Sequence, residues 1–349
     1  MRAIKKIDLG YLIRYYGKKS STASAKDIVL RTQAVPRALE PIVTADDAGI
    51  IKNTSEIRPP DRNINDLASR LFEHYNSGYL KIAKSTLSSV NHFFNAAKVS
   101  YEWSASSFMD IPGEKLREKM ELQTLKNSLS GEVEDNQHAQ AARKFPGKTD
   151  GVPFELLNGL PEVVFLGRCN SGKSTLLNNL TTEFSTLRLN NYAKSSSKAG
   201  FTKTINCFNV GKRFRLIDTP GYGIKGTQQQ GEVIMQYLRK RRELKRTFLI
   251  VSAEQGFAAT DSQIVDFLMK FGIPFEVVFT KLDKVKRIDE LHNMIQESGV
   301  LELPTMPQML FVNSISTSKF PKRLGIDRLR AAILESCGLK PGVRPLKLR

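Results

Sequence analysis

Residues 167–175 read Gly-Arg-Cys-Asn-Ser-Gly-Lys-Ser-Thr, after the apolar run at 161–166 and before Leu-Leu-Asn-Asn-Leu at 176–180. The spacing Gly167-x4-Gly172-Lys173-Ser174 is that of a phosphate-binding loop between a strand and a helix. Glycines there let backbone N–H groups turn toward a β-phosphate, and the helix N-terminus adds partial positive charge. Lys173 is placed to reach the β- and γ-phosphate oxygens, and the Ser174 hydroxyl to ligate Mg2+. Gly167, Asn170, Ser171, Gly172 and Thr175 complete the expected cradle.

The loop does not separate ATP from GTP. Three further stretches do. Leu-Ile-Asp-Thr-Pro-Gly at 216–221 ends an apolar strand in Asp218, which can hold the Mg2+ shell from the second layer, with Gly221 free to offer its N–H to a γ-phosphate. Val-Val-Phe-Thr-Lys-Leu-Asp at 277–283 places Thr280, Lys281 and Asp283 at the end of a later strand. A carboxylate there accepts from both N1–H and N2–H2 of guanine, whereas adenine offers no such pair of donors. Phe-Val-Asn-Ser-Ile at 311–315 supplies a last loop, Asn313, Ser314 and Ile315, whose backbone contacts the base O6 at Ser314. The expected ligand is GTP or GDP. Between 190 and 210 a Ser/Lys/Gly-rich segment holds Thr202 and Thr204, both positioned to cap Mg2+ and the γ-phosphate.

These residues need a scaffold that ends several strands at one place. After residue 160 the sequence alternates apolar strands with amphipathic helices, which predicts a mostly parallel sheet covered on both faces, an α/β three-layer domain. Upstream, 61–97 carries apolar residues at helical steps, and 98–108 reads as a strand. Residues 112–151 are polar and charged, a partly helical or disordered insertion. Pro36, Pro41, Pro59 and Pro60 mark a linker before them.

The 349 residues carry a net charge of +18, which favours a polyanionic partner. No stretch approaches the ~18 apolar residues of a membrane span. Cys169, Cys207 and Cys337 form no Cys-x-x-Cys pair and the four histidines are scattered, which argues for a reducing compartment and against a zinc site. The first forty residues hold Arg2, Lys5, Lys6, Arg14, Lys18, Lys19 and Lys26 against Asp8 up to residue 26, with Ile4, Ile7, Tyr11 and Tyr15 at helical spacing. That is the profile of a mitochondrial presequence, or else of a basic arm. The run at 239–246 reads as the end of a helix carrying Arg239, Arg242 and Arg246 on one face, either toward RNA or simply toward solvent. The tail 338–349 reads as a basic strand along rRNA or a disordered end.

The stretches 167–178, 199–208, 218–223 and 279–284, with Tyr101–Pro112, resemble the EngB (YihA/YsxC) GTPases of the Era-type translational group. The likeness spans about 92–112 and 160–338, leaving 113–159 as an insertion, 41–91 as linker and helical extension and 339–349 as tail. The whole resembles a fungal mitochondrial member. It implies a GTPase of the mitochondrial matrix that assists the large ribosomal subunit and its rRNA, and it favours Thr202 over Thr204 as the Mg2+ cap. Cys169 and Asn313 stand where the family often has serine, and Leu249–Gly256 lacks the family's Asp-x-Arg. Tyr222 follows Gly221 where other GTPases place a water-orienting glutamine, so slow intrinsic hydrolysis is expected. In related GTPases the residue at Asn170 helps hold K+ at the phosphates; alternatively it only shapes the turn. Lys173, Asn170, Thr202 and Gly221 are thus the candidate catalytic set. A nucleotide-gated RNA- or ribosome-binding module with negligible hydrolysis is the other reading.

Overall fold

The computed structural model describes residues 66–130, 154–184, 186, 188–193, 202–223, 226–316 and 322–346. The presequence-like segment, the Pro-rich linker and most of the Ser/Lys/Gly-rich stretch before Thr202 lie outside them.

Seven strands form one sheet: β1 (Val99–Ala105), β2 (Glu162–Gly167), β3 (Ile205–Val210), β4 (Phe214–Asp218), β5 (Leu244–Ser252), β6 (Phe275–Thr280) and β7 (Met309–Phe311). Their order is β1-β3-β4-β2-β5-β6-β7. The segment from β4 to β7 is parallel, while β1, β3 and β4 run antiparallel. Strands β2, β4 and β6 are buried at every position, as strands covered on both faces must be.

The covering helices are α1 (Leu67–Tyr75), α2 (Lys84–Ala96), α3 (Glu114–Ser130), α4 (Lys173–Leu180), α5 (Gln228–Lys240), α6 (Ala259–Lys270), α7 (Ile288–Glu297) and α8 (Ile326–Ser336). Helices α1, α5, α6 and α7 bury their apolar stripes on one face, and α2, α4 and α8 on the other. Asn76, just after α1, exchanges two hydrogen bonds with the backbone of Met309, 2.8 and 2.9 Å, and so occupies the outer edge of β7. A side-chain amide there satisfies groups that an open sheet edge would leave unpaired.

The basic run at 239–246 does not form a stripe. Helix α5 ends at Lys240 because Arg241 turns inward, 3 % exposed, onto Glu162 at 2.5 Å and Glu114 at 2.5 Å. Two buried carboxylates compensate the guanidinium there, and removing one of them would leave a buried charge unpaired at a cost of ~3–5 kcal/mol. Arg246 then falls in β5, paired with Glu276 at 2.9 Å, and Arg239 packs over the Phe271 ring. Arg242 alone of the predicted face is exposed, and it pairs with Glu121. The tail folds back: Leu346 N–H donates to the Gly211 carbonyl and Arg213 Nε to the Arg344 carbonyl, both at 2.9 Å.

Candidate functional site

Strand β2 has β4 on one side and β5 on the other: the chain runs from β2 to β3 and β4 on one side, then crosses from β4 to β5 on the other. At such a switch point a crevice opens beyond the strand C-termini, where α/β proteins bind ligands. The 167–175 loop sits there. Gly167 is required by close approach: a Cβ would lie 2.4 Å from the Ile250 carbonyl oxygen. Gly172 takes φ 97°, and Asn170 takes φ 64°, a left-handed conformation that asparagine accepts more readily than most residues. Helix α4 starts at once, its Leu176 N–H bonded to the Gly172 carbonyl.

Lys173 is buried, with Nζ donating to the Gly167 and Arg168 carbonyls at 2.9 and 3.0 Å. An ammonium has three donors, so one remains for a phosphate oxygen. Burial lowers the Lys173 pKa and raises that of Asp218, and the attraction between the two charges opposes both shifts. Ser174 Oγ donates to Asp218 Oδ2 at 2.8 Å, and Asp218 Oδ1 is buried without a hydrogen-bond partner. A serine hydroxyl that donates to one carboxylate oxygen keeps its lone pairs for a cation, and the orphaned oxygen faces no protein donor. That pair fits Mg2+ held directly by Ser174 with Asp218 behind it. Thr175 is half-buried on the first turn of α4. Thr202 is half-buried at the start of the described segment leading into β3, and Thr204 Oγ1 bonds the Asn206 side chain at 3.1 Å.

Gly221 packs on the phosphate loop so closely that a Cβ would meet Cys169 N and Cα at 2.7 Å. The segment continues beside the loop as a short parallel ladder: Tyr222 N–H donates to the Gly167 carbonyl, and Cys169 N–H to the Tyr222 carbonyl. The Tyr222 side chain is buried, its hydroxyl donating to Asp261 Oδ1 at 2.6 Å, while Arg168 Nε pairs with Asp261 Oδ2 at 2.9 Å. Burial and the adjacent carboxylate push the Tyr222 phenol well above its usual pKa, so it stays protonated and bonded. Sequence reasoning missed this link. The only local signal is that Asp261 sits three residues past Ala258, where its carboxylate also caps the Ala258 N–H.

The base-side residues are brought together only in part as expected. Thr280 is buried and its hydroxyl donates to the Ser171 carbonyl at 2.6 Å, tying β6 to the phosphate loop. Ser171 itself is buried, with an unpartnered Oγ. Lys281 adopts φ 59° and approaches Glu254 at 4.0 Å, and Asp283 is half-buried in the one-turn helix after it. Asn313 is buried and donates to the Ile315 carbonyl at 2.8 Å, shaping a loop in which Ser314 is half-buried and Ile315 exposed.

The chain is similar to several known proteins. The 50S ribosome-binding GTPase family profile matches residues 162–281. MIOREX complex component 8 of Saccharomyces cerevisiae is 42 % identical over 290 residues, spanning 83 % of this chain and 85 % of the relative. The "Probable GTP-binding protein EngB" of Finegoldia magna is 34 % identical over 188 residues, 52 % of this chain and 89 % of its own length. Among solved structures, one described as "a probable GTP-binding protein engB" overlaps 51 % of this chain and 98 % of its own, at 24 % identity and a TM-score of 0.38.

Proposed function

The chain belongs to the EngB family of GTP-binding proteins, and we propose on that basis that it binds GTP and GDP, hydrolyses GTP slowly, and acts on the large ribosomal subunit in the mitochondrial matrix. The observation that carries the nucleotide reading is the convergence of Lys173, Ser174 and Asp218 at the sheet switch point, with one lysine donor and one carboxylate oxygen left over. Residues 92–338 form the GTPase domain in this reading, with an insertion at 113–159.

Mg2+, held by Ser174 and Thr202 with Asp218 in its second shell, would neutralise charge on the β- and γ-phosphates. Gly167, Asn170, Ser171, Gly172 and Thr175 present the loop and helix start to the phosphates. Lys173 gives its third donor to their oxygens. Gly221, held against Cys169, offers its N–H to the γ-phosphate. Asp283 accepts from the guanine edge, Lys281 covers the base, and Ser314 meets O6 from the loop that Asn313 and Ile315 shape. Thr280 contributes by fixing β6 to the phosphate loop. The Tyr222 hydroxyl is spent on Asp261, so turnover relies on positioning and charge, with K+ at Asn170 as a further source of charge. The 50S ribosome-binding description of the family and the excess of basic residues support the ribosomal partner. The presequence-like first forty residues support the matrix.

Asp283→Asn tests the base assignment: GTP binding weakens and xanthosine triphosphate binding improves, because the donor–acceptor pattern is reversed. Competition by ATP equal to that by GDP contradicts it. Turnover with and without large subunits separates a GTPase from a binding module: acceleration supports hydrolysis, and no turnover under either condition supports the module.

A further inference from the structure

Three segments cross at the end of the β3–β4 hairpin remote from Asp218. Gly211 N–H donates to the Lys98 carbonyl at 2.9 Å, and the Gly211 carbonyl accepts from Leu346 N–H at 2.9 Å. Arg213 Nε donates to the Arg344 carbonyl, and a Cβ on Gly211 would lie 2.7 Å from Pro345 and 3.2 Å from Ala97. The crossing is therefore a close-packed joint, and it sets Lys98, Lys212, Arg213, Lys340 and Arg344 on one small area. All but the half-buried Arg213 are exposed. Segments 97–101, 209–213 and 339–346 contain no Asp or Glu, and among the described residues none of the five cations has a carboxylate at ion-pair distance. Elsewhere Arg117, Arg242, Arg246 and Arg328 have acidic partners.

Clustered like charges repel, so an uncompensated group held together by backbone bonds calls for an anion. The neighbouring β1 offers a second feature. Tyr101 is 56 % exposed, with its ring against Phe208 at 6.0 Å and its hydroxyl donating to Ser104 Oγ at 2.8 Å. An exposed ring tethered along the strand by its hydroxyl is available for stacking on a base. Fixed cations beside an aromatic face are the combination that tracks single-stranded nucleic acid.

We propose that this patch is an RNA-binding surface that grips the phosphate backbone, with Tyr101 stacking a base. The proposal rests on the reading of the chain as a ribosome-directed GTPase and assigns that partner a place on the molecule. Phe214–Asp218 separates the patch from the nucleotide site by about 15 Å, at ~3.3 Å per strand residue, so the grip is additional to whatever the γ-phosphate controls.

The test compares the full chain with Lys98→Gln/Lys212→Gln/Arg213→Gln/Arg344→Gln, using labelled poly(U) RNA and isolated large subunits across a KCl series. The expected result is an affinity loss of about tenfold or more for both, with the log–log salt slope shallower by about two to three, because each neutralised phosphate releases counterions. Affinity for a GTP analogue stays unchanged. Because Arg213 also holds the tail, Lys98→Gln/Lys212→Gln/Arg344→Gln repeats the measurement with that bond intact, and Tyr101→Ala weakens RNA binding without altering the slope. Equal binding and slope for wild type and variants overturns the patch while leaving the ribosomal reading in place; wild type that binds neither RNA nor subunits overturns that reading itself. Retention of the wild type, but not the variants, by phosphatidylglycerol vesicles with no change on RNA assigns the surface to a membrane and overturns the RNA assignment.

Discussion

Tyr222 and Asp261 are joined by a 2.6 Å hydrogen bond that fixes the direction of the side chain after Asp-Thr-Pro-Gly. The same carboxylate pairs with Arg168 inside the phosphate loop. One buried acid thus holds the residue after Gly221 and the residue after Gly167 in a single arrangement.

Tyr222→Phe removes that bond and leaves Asp261 Oδ1 short of a donor in a buried site, which costs ~1–3 kcal/mol of stability. Chemical denaturation measures the loss. Basal hydrolysis stays within a few-fold of wild type, because the phenol is buried and its hydroxyl is engaged by Asp261. A loss of about a hundredfold in kcat with GTP affinity retained would show that the hydroxyl acts on the chemistry.

Potassium provides a second test. Basal GTP hydrolysis rises when K+ replaces Na+, and Asn170→Ala abolishes that response without abolishing binding. Equal rates in the two salts remove K+ from the account and leave the GTPase reading intact. Lys173→Ala loses binding or turnover in either salt.

Stability should respond to pH through Glu276. Burial pushes its carboxyl up to about 7, against the pull of Arg246. A carboxyl with a raised folded pKa binds its proton more tightly in the folded state, so its contribution to stability is lost as pH rises from about 4.5 through 7. Glu276→Gln cannot ionise. Its stability relative to wild type therefore improves between about pH 5 and about pH 8, read by urea unfolding at both. The opposite trend would mean that the ion pair to Arg246 outweighs burial.

The strand–loop–helix frame was legible because it depends on local signals: apolar runs, glycine spacing and one lysine. The strand before Asp283 was legible in the same way, from the apolar run Val277–Phe279. Arg241 was not legible. Its partners Glu162 and Glu114 lie 79 and 127 residues away, and nothing in a run of arginines says which one turns inward. The path of the tail was not legible for a similar reason: it is set by the bare backbone of Gly211 on a distant hairpin. Thr280 shows the limit within the site itself, since its place in the motif suggests ligand contact and its hydroxyl is spent on the Ser171 carbonyl.

As a GTPase directed to the large subunit, the protein is proposed to attach to it under the control of nucleotide state. The direct measurement is pelleting of the full chain with isolated large subunits at several KCl concentrations, with GDP and a non-hydrolysable GTP analogue compared at each. The account predicts stronger retention with the analogue at every salt concentration, superimposed on a steep loss of binding as KCl rises. Superimposable curves for the two nucleotides would leave only non-specific attraction between a basic protein and rRNA, and would contradict the claim.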